Sequence, residues 1–257
     1  MSIHQIDIER FHTEGLVTLS PSFPYASLDA ANEVIDTLAD ADFIPEGRGD
    51  SFGWYTGSIL QPELLKLVYD PFFEQVSKTI LRAEAVELAF VSLRVTKARP
   101  HTQMYLEPEH VDFKCGTSSV YSTPVAMPSS FFVWLTDVQA DNCPLYYRPG
   151  SHLQVMRYID GHPEDNTNEI KQTPPDLEYA DPVPVFAERG QASLISTTVV
   201  HGGSVTPGYQ ERRLLVVQFK AKGIEFPLYA QLEEQRLRHL QKLKDYLPHD
   251  KLHLLPE

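Results

Sequence analysis

Three short stretches of this sequence carry side chains that bind metals or anions. His110-Val111-Asp112 places an imidazole and a carboxylate two residues apart. On an extended segment residues i and i+2 point to the same side, so both can grip one ion. In VVHGGS, His201 follows the strand end Thr198-Val199-Val200, and two glycines behind it allow close approach of backbone or ligand. Two imidazoles and one carboxylate on one face of an ion leave the remaining positions open, which is the donor set of non-haem iron(II) oxygenases. Arg212, eleven residues beyond His201, opens RRLLVVQF. A guanidinium facing inward with Leu214 and Val216 requires an anionic partner, and a dicarboxylate would supply one through paired hydrogen bonds. Taken singly, each stretch has a plainer reading: a surface His beside an acid, a packed His at a strand end, a structural Arg–Asp pair with Arg213 exposed next to it.

The elements that must position these residues are mostly strands. LAFVSLRVTK, from about Leu88, alternates Ser92, Arg94 and Thr96 with Leu93 and Val95. SFFVWLTDV (130–138), PLYYR (144–148, closed by the turn Pro149-Gly150), QASLIST (191–197) and RRLLVVQFKA (212–221) complete the strong set. Strands separated by Gly/Pro turns, with no βαβ alternation, predict a sandwich or barrel. Residues 1–85 read as mainly helical. One helix is predicted to be capped by Ser27 and to carry Leu28, Ala31, Val34, Ile35 and Leu38 on one face. Two more start near Pro62 and Pro71, the latter with Phe73, Val76 and Ile80 on one side. Residues 155–190 are polar and proline-rich and read as a long insertion over the barrel mouth. A closing helix over about 228–247 carries Leu232, Leu237, Leu240 and Leu243, and Arg236, Arg238, Lys242 and Lys244 read as its solvated face.

The whole-chain numbers narrow the function classes. The 257 residues suffice for a single domain, with a β core over about 86–222. The net charge of −13 repels phosphate backbones, so nucleic acid is not an expected partner. No run of apolar residues reaches membrane-spanning length, and the opening MSIHQIDIERFHTEG lacks the apolar segment of a secretory signal. A cytoplasmic location is expected. Two cysteines, Cys115 and Cys143, make no disulfide framework and fit a reducing compartment as buried small residues.

The order of these motifs resembles the phytanoyl-CoA dioxygenase (PhyH) family of iron(II)/2-oxoglutarate oxygenases. The likeness extends to FFVWLTDVQADNCPLYYRPGSH, which is similar to that family's strand, acidic turn and PGSH segment, and to the opening FHTEGLVTL. VSLRVTKARP stands where the family has its first core strand. The resemblance implies a double-stranded β-helix (a jelly-roll or cupin-like barrel) with N- and C-terminal helices packed outside. It further implies that His110, Asp112 and His201 hold iron(II) and that Arg212 binds the distal carboxylate of 2-oxoglutarate. Phe131 would pack on the cosubstrate and Thr96 would add a polar contact, with dioxygen as second cosubstrate. Pro149, Gly150, Ser151 and His152 would form a turn. The chain departs from the family pattern with Val111 between the ligands, Cys143 in place of glycine after Asn142, and Gly203 in place of serine.

The implied activity is oxidation of a C–H bond in a small-molecule metabolite, with release of succinate and CO2. Hydroxylation, desaturation, ring closure and demethylation all begin this way. Two other readings stay open at this point: a cupin-like non-redox enzyme using zinc or manganese, and an inactive small-molecule-binding protein on the same fold. Tyr105, Lys97 and Arg148 are candidate substrate contacts, and the pocket is expected between the N-terminal region, the 113–128 loop and the insertion.

Overall fold

The structure, a computed structural model, describes residues 4–40, 53–56, 59–98, 100, 101, 103–166, 173–225 and 230–256. In chain order the elements are α1 (Gln5–Glu14), β1 (Leu16–Leu19), α2 (Tyr25–Asp40), β2 (Gly53–Thr56), α3 (Pro62–Val68), α4 (Pro71–Ile80), β3 (Val86–Thr96) and β4 (Tyr105–Leu106). They continue with α5 (Thr117–Tyr121), β5 (Ser129–Trp134), β6 (Leu145–Tyr147), α6 (Ser151–Gly161), β7 (Val183–Val185), β8 (Ala192–Ile195), β9 (His201–Gly202), β10 (Ser204–Val205), β11 (Arg212–Ala221) and α7 (Ala230–Leu243).

The helix starts follow local chemistry. Pro62 and Pro71 occupy first turns, where no N–H is needed, and the Asp70 carboxylate caps α4 by accepting from Phe72 N–H at 2.9 Å. Ser27 does not cap α2: the helix begins earlier, at Tyr25, and the Pro24 carbonyl accepts from Ser27 and Leu28. α1 stops at Gly15, whose φ of +85° lets its N–H close on Phe11 O. The mainly helical N-terminal part therefore also contributes two strands, β1 and β2, to the main sheet.

That sheet has six antiparallel strands in the order β1-β8-β5-β11-β3-β2. Register assigns its faces, because directly opposed residues point the same way. Arg212 lies opposite Thr96, Leu214 opposite Arg94 and Trp134, and Val216 opposite Ser92 and Phe132. This inner face meets Leu145, Tyr147 and Val185 of a second, three-stranded sheet (β7-β6-β9) in one apolar cluster. The outer face, with Leu93, Val95, Phe131, Val133, Leu215 and Val217, packs under α3 and α4 in the larger core. Beside β9 the chain from β4 onward continues the second sheet: β4 pairs with β10, Glu107 N–H donates to Gly203 O, and His110 pairs with His201. The architecture is mainly β and antiparallel, with helices outside, and among the described residues hydrogen bonding does not close it into a continuous barrel.

Two further expectations need correction. The 155–190 stretch is not one loop. The PGSH turn runs straight into α6, whose Val155, Met156 and Ile159 are buried, followed by a 3₁₀ turn at Pro163–Asp165 and by β7; residues 167–172 lie outside the described residues. α7 also turns a different face inward. Arg236 is buried against Glu233 and the Ala89 carbonyl, and His239 donates to Ile59 O at 2.7 Å, whereas Leu237 is exposed. The main-chain carbonyls of Ala89, at the bulge of β3 against β11, and of Ile59 satisfy polar side chains there, so the inward stripe is Arg236, His239, Leu240 and Leu243. The side chain of Leu232 and residues 228 and 229 fall outside the described residues.

Candidate metal centre

The extended segment after β4 delivers the first two ligands. His110 N–H donates to His201 O at 2.8 Å and His201 N–H to His110 O at 3.0 Å. This pairing puts the two imidazoles side by side, with ring centroids 4.4 Å apart. Val111 points the other way, fully buried with Val155, Ile159 and Val200. Asp112 therefore returns to the side of His110, and its Oδ1 lies 3.7 Å from both His110 Nε2 and His201 Nε2. All three donor atoms fall within 4.8 Å of one another.

The chemistry of the set fits a divalent ion. His201 Nδ1 donates to the Val199 carbonyl at 3.0 Å, which puts its proton on Nδ1 and leaves the Nε2 lone pair facing Asp112. His201 is buried while the Asp112 side chain is 30% exposed, so the cluster has a closed back and an accessible front. Phe132 stands beside His201 at 6.3 Å between ring centroids.

Arg212 enters from the facing sheet. It is 3% exposed; Nη2 donates to Thr96 Oγ1 at 3.0 Å, Nη1 donates to the Cys143 carbonyl, and Nε has no partner. Among the described residues no carboxylate lies within ion-pair distance of it. The contrast with its neighbour is sharp: Arg213, on the outer face, is paired with both Asp36 and Glu211. Burial, with repulsion from Arg94, pulls the Arg212 pKa down to about 10, so the group stays charged at neutral pH. A buried cation held only by neutral groups is a site for an incoming anion.

The surroundings explain how that arginine is held. Cys143 adopts φ +59°, the left-handed region in which the family's glycine is at ease, and its N–H donates to Thr206 Oγ1 at 2.8 Å. The turn's carbonyl is thereby aimed at Arg212. Thr96, expected as a cosubstrate contact, accepts from Arg212 and orients it. Arg94, one inward position away on β3, faces Glu107 at 3.7 Å. The Glu107 carboxylate lies over Gly203, where a Cβ would come within 1.9 Å of Oε2.

Several expected contacts are placed elsewhere. Phe131 does not face the site: it points to the outer core, 4.9 Å from the Phe73 ring, and the inward residue of that strand is Phe132. His152, expected in a turn, instead lies in the first turn of α6, buried, with Nε2 3.1 Å from His12 O. Tyr105 and Lys97 are exposed, and Arg148 is tied to Glu109. Sequence reasoning missed Arg94, Glu107 and the Val199 carbonyl. Arg94 was within reach, since it alternates in phase with Thr96.

The sequence profile of the phytanoyl-CoA dioxygenase (PhyH) family matches residues 14–213. The chain belongs to the phytanoyl-CoA dioxygenase family. The match spans the strands that carry both candidate histidines, Asp112 and Arg212. A sequence comparison with curated proteins finds no match. Solved structures share the fold at low identity. HygX from Streptomyces hygroscopicus, crystallised with nickel and 2-oxoglutarate, is 14% identical with a TM-score of 0.63, over 87% of this chain and 89% of its own. AviO1 from Streptomyces viridochromogenes Tue57 is 19% identical with a TM-score of 0.61, over 89% and 99%. EctD from S. alaskensis, in its apo form, is 16% identical with a TM-score of 0.62, over 88% and 79%. This PhyH-family chain thus has its relatives' fold along most of its length. Among its described residues no helix is long and apolar enough to cross a membrane.

Proposed function

We propose that this protein is an iron(II)- and 2-oxoglutarate-dependent oxygenase acting on a C–H bond of a small organic molecule. The observation that carries the reading is the pairing of the His110–Asp112–His201 cluster with the uncompensated buried charge of Arg212. A metal-only hydrolase needs the first and has no use for the second. Family membership supports the reading, as do neighbours with the same fold: HygX is described with iron, and the epimerase SnoN with Fe3+, alpha ketoglutarate and nogalamycin RO.

His110, Asp112 and His201 would hold the ion. Iron(II) and 2-oxoglutarate, when bound, would supply the oxidising power, at the expense of dioxygen and with succinate and CO2 as co-products. Arg212 binds the distal carboxylate of 2-oxoglutarate, its guanidinium pre-aimed by Thr96 Oγ1 and the Cys143 carbonyl. Phe132, Trp134 and Leu214 line the inner face and keep water from the reacting atoms. Val199 keeps the proton off His201 Nε2. The carbocyclase SnoK and the epimerase SnoN both share this chain's fold, so the fold alone does not fix the reaction outcome.

The test is anaerobic titration of metal-free protein with iron(II) and then 2-oxoglutarate. A visible metal-to-ligand charge-transfer band is expected. A folded protein that never develops the band rules out the reading, and succinate formation with a metabolite panel then separates an active enzyme from an inert binding protein.

A further inference from the structure

Arg148 directly follows β6 and touches the residue before each candidate histidine ligand. Its main-chain N–H donates to Val200 O at 2.9 Å, and Val200 N–H donates to Ser151 Oγ at 2.9 Å. Its Nε donates to Glu109 Oε1 at 2.7 Å, and its Nη1 to Ala180 O at 2.8 Å. Glu109 precedes His110 and Val200 precedes His201. One residue therefore grips both ligand-bearing segments from behind and docks the chain around Ala180 onto them.

We propose that Arg148 is a positioning residue that holds the paired segments bearing His110 and His201 in place through the residues before them, an inference that rests on the metal-centre reading above. The Arg148–Glu109 pair is partly buried, with side chains 23% and 27% exposed, so it is less screened than a surface pair. The planar guanidinium sends Nε and Nη1 to two acceptors at once, which a lysine ammonium cannot reproduce. The layer beneath is apolar: Val111 and Val200 pack with Val155 and Ile159, and Tyr179 lies against them. The His110–His201 backbone pair fixes the two segments to each other, and Arg148 and Ser151 supply the polar contacts that hold Glu109 and Val200, the residues before them. Groups that orient metal ligands typically change metal affinity by about ten- to a hundred-fold when removed.

Cobalt(II) is the probe, read by its d–d absorption on metal-free protein well below the melting temperature. The variants are Arg148→Met, Arg148→Lys, Glu109→Gln and the double Arg148→Met/Glu109→Gln. Arg189→Met is the control; it breaks an ion pair to Asp29 on α2. Arg148→Met is expected to weaken cobalt binding roughly ten-fold or more, with Arg148→Lys intermediate. The double variant should be no weaker than Arg148→Met, because both changes break the same contact. Arg189→Met should lose stability and keep its affinity. If wild type shows no cobalt bands, the metal-centre reading fails. If wild type binds and Glu109→Gln and either Arg148 variant bind as tightly, the positioning role is overturned and the centre stands. An equal loss in Arg189→Met would mean general loosening and would also overturn it. Should Arg148→Met not fold, Arg148→Lys and Glu109→Gln decide the question.

Discussion

His110 and His201 exchange both main-chain hydrogen bonds, at 2.8 and 3.0 Å, so backbone pairing and not side-chain packing brings their rings to 4.4 Å. Placement of the two candidate ligands is thus a property of strand register.

Replacement of His110 or Asp112 by alanine should accordingly abolish the iron(II)/2-oxoglutarate absorption band and all cosubstrate turnover. Their side chains are 21% and 30% exposed, so the melting temperature of metal-free protein should move by only a few degrees. Unfolding of either variant at room temperature would show that the cluster is structural.

Arg212→Met removes the cation that waits for a carboxylate. The dissociation constant for 2-oxoglutarate, measured calorimetrically with a redox-inert metal, should rise about a hundred-fold, or about 3 kcal/mol, as expected when a charged hydrogen-bonding group is lost. Without cosubstrate the variant should melt no lower than wild type, since an uncompensated buried charge is itself costly. Wild type alone should gain thermal stability on adding 2-oxoglutarate.

Gly15→Ala should destabilise by about 2 kcal/mol in urea unfolding. Gly15 sits at φ +85°, and a Cβ there would come within 2.6 Å of His152 Nδ1 and 2.9 Å of Val199 Cγ2. Because the Val199 carbonyl orients His201, metal affinity should fall as well.

His152 predicts an acid-side loss of stability. Burial pulls its pKa down to about 4 in the folded chain, while the unfolded chain takes up the proton near the ordinary value of about 6.5. Its contribution is therefore complete above about pH 6.5 and fades as pH falls toward 4, by on the order of 3 kcal/mol in all. Melting temperatures recorded across that window should fall more steeply for wild type than for His152→Gln.

The candidate cluster His110–Asp112–His201 could be read from the sequence because part of it obeys simple periodicity, i and i+2 on an extended segment, with an arginine opening a later strand. Faces were harder. Ser129–Leu135 is buried on both sides, so alternation gave no hint that Phe132 and not Phe131 faces inward. The polarity of GHPEDNTNE drew attention away from α6, although Val155, Met156 and Ile159 already had helical spacing. Arg236 shows a different limit. A charged side chain can be buried where a main-chain carbonyl freed by a β-bulge awaits it, and composition does not reveal where such carbonyls fall. Arg94 was legible as an in-phase neighbour of Thr96, but its partner Glu107 comes from a segment that meets it only in three dimensions.

The pairing of His110 with His201 also bears on the order of events as the chain folds. The first ligand segment precedes β5 to β8, and the last ligand lies beyond them, so nearly the whole core must assemble before the ion's seat exists. An ion held there would therefore not template the fold from the start as it does in a zinc finger; its capture would report that distant parts of the chain have met.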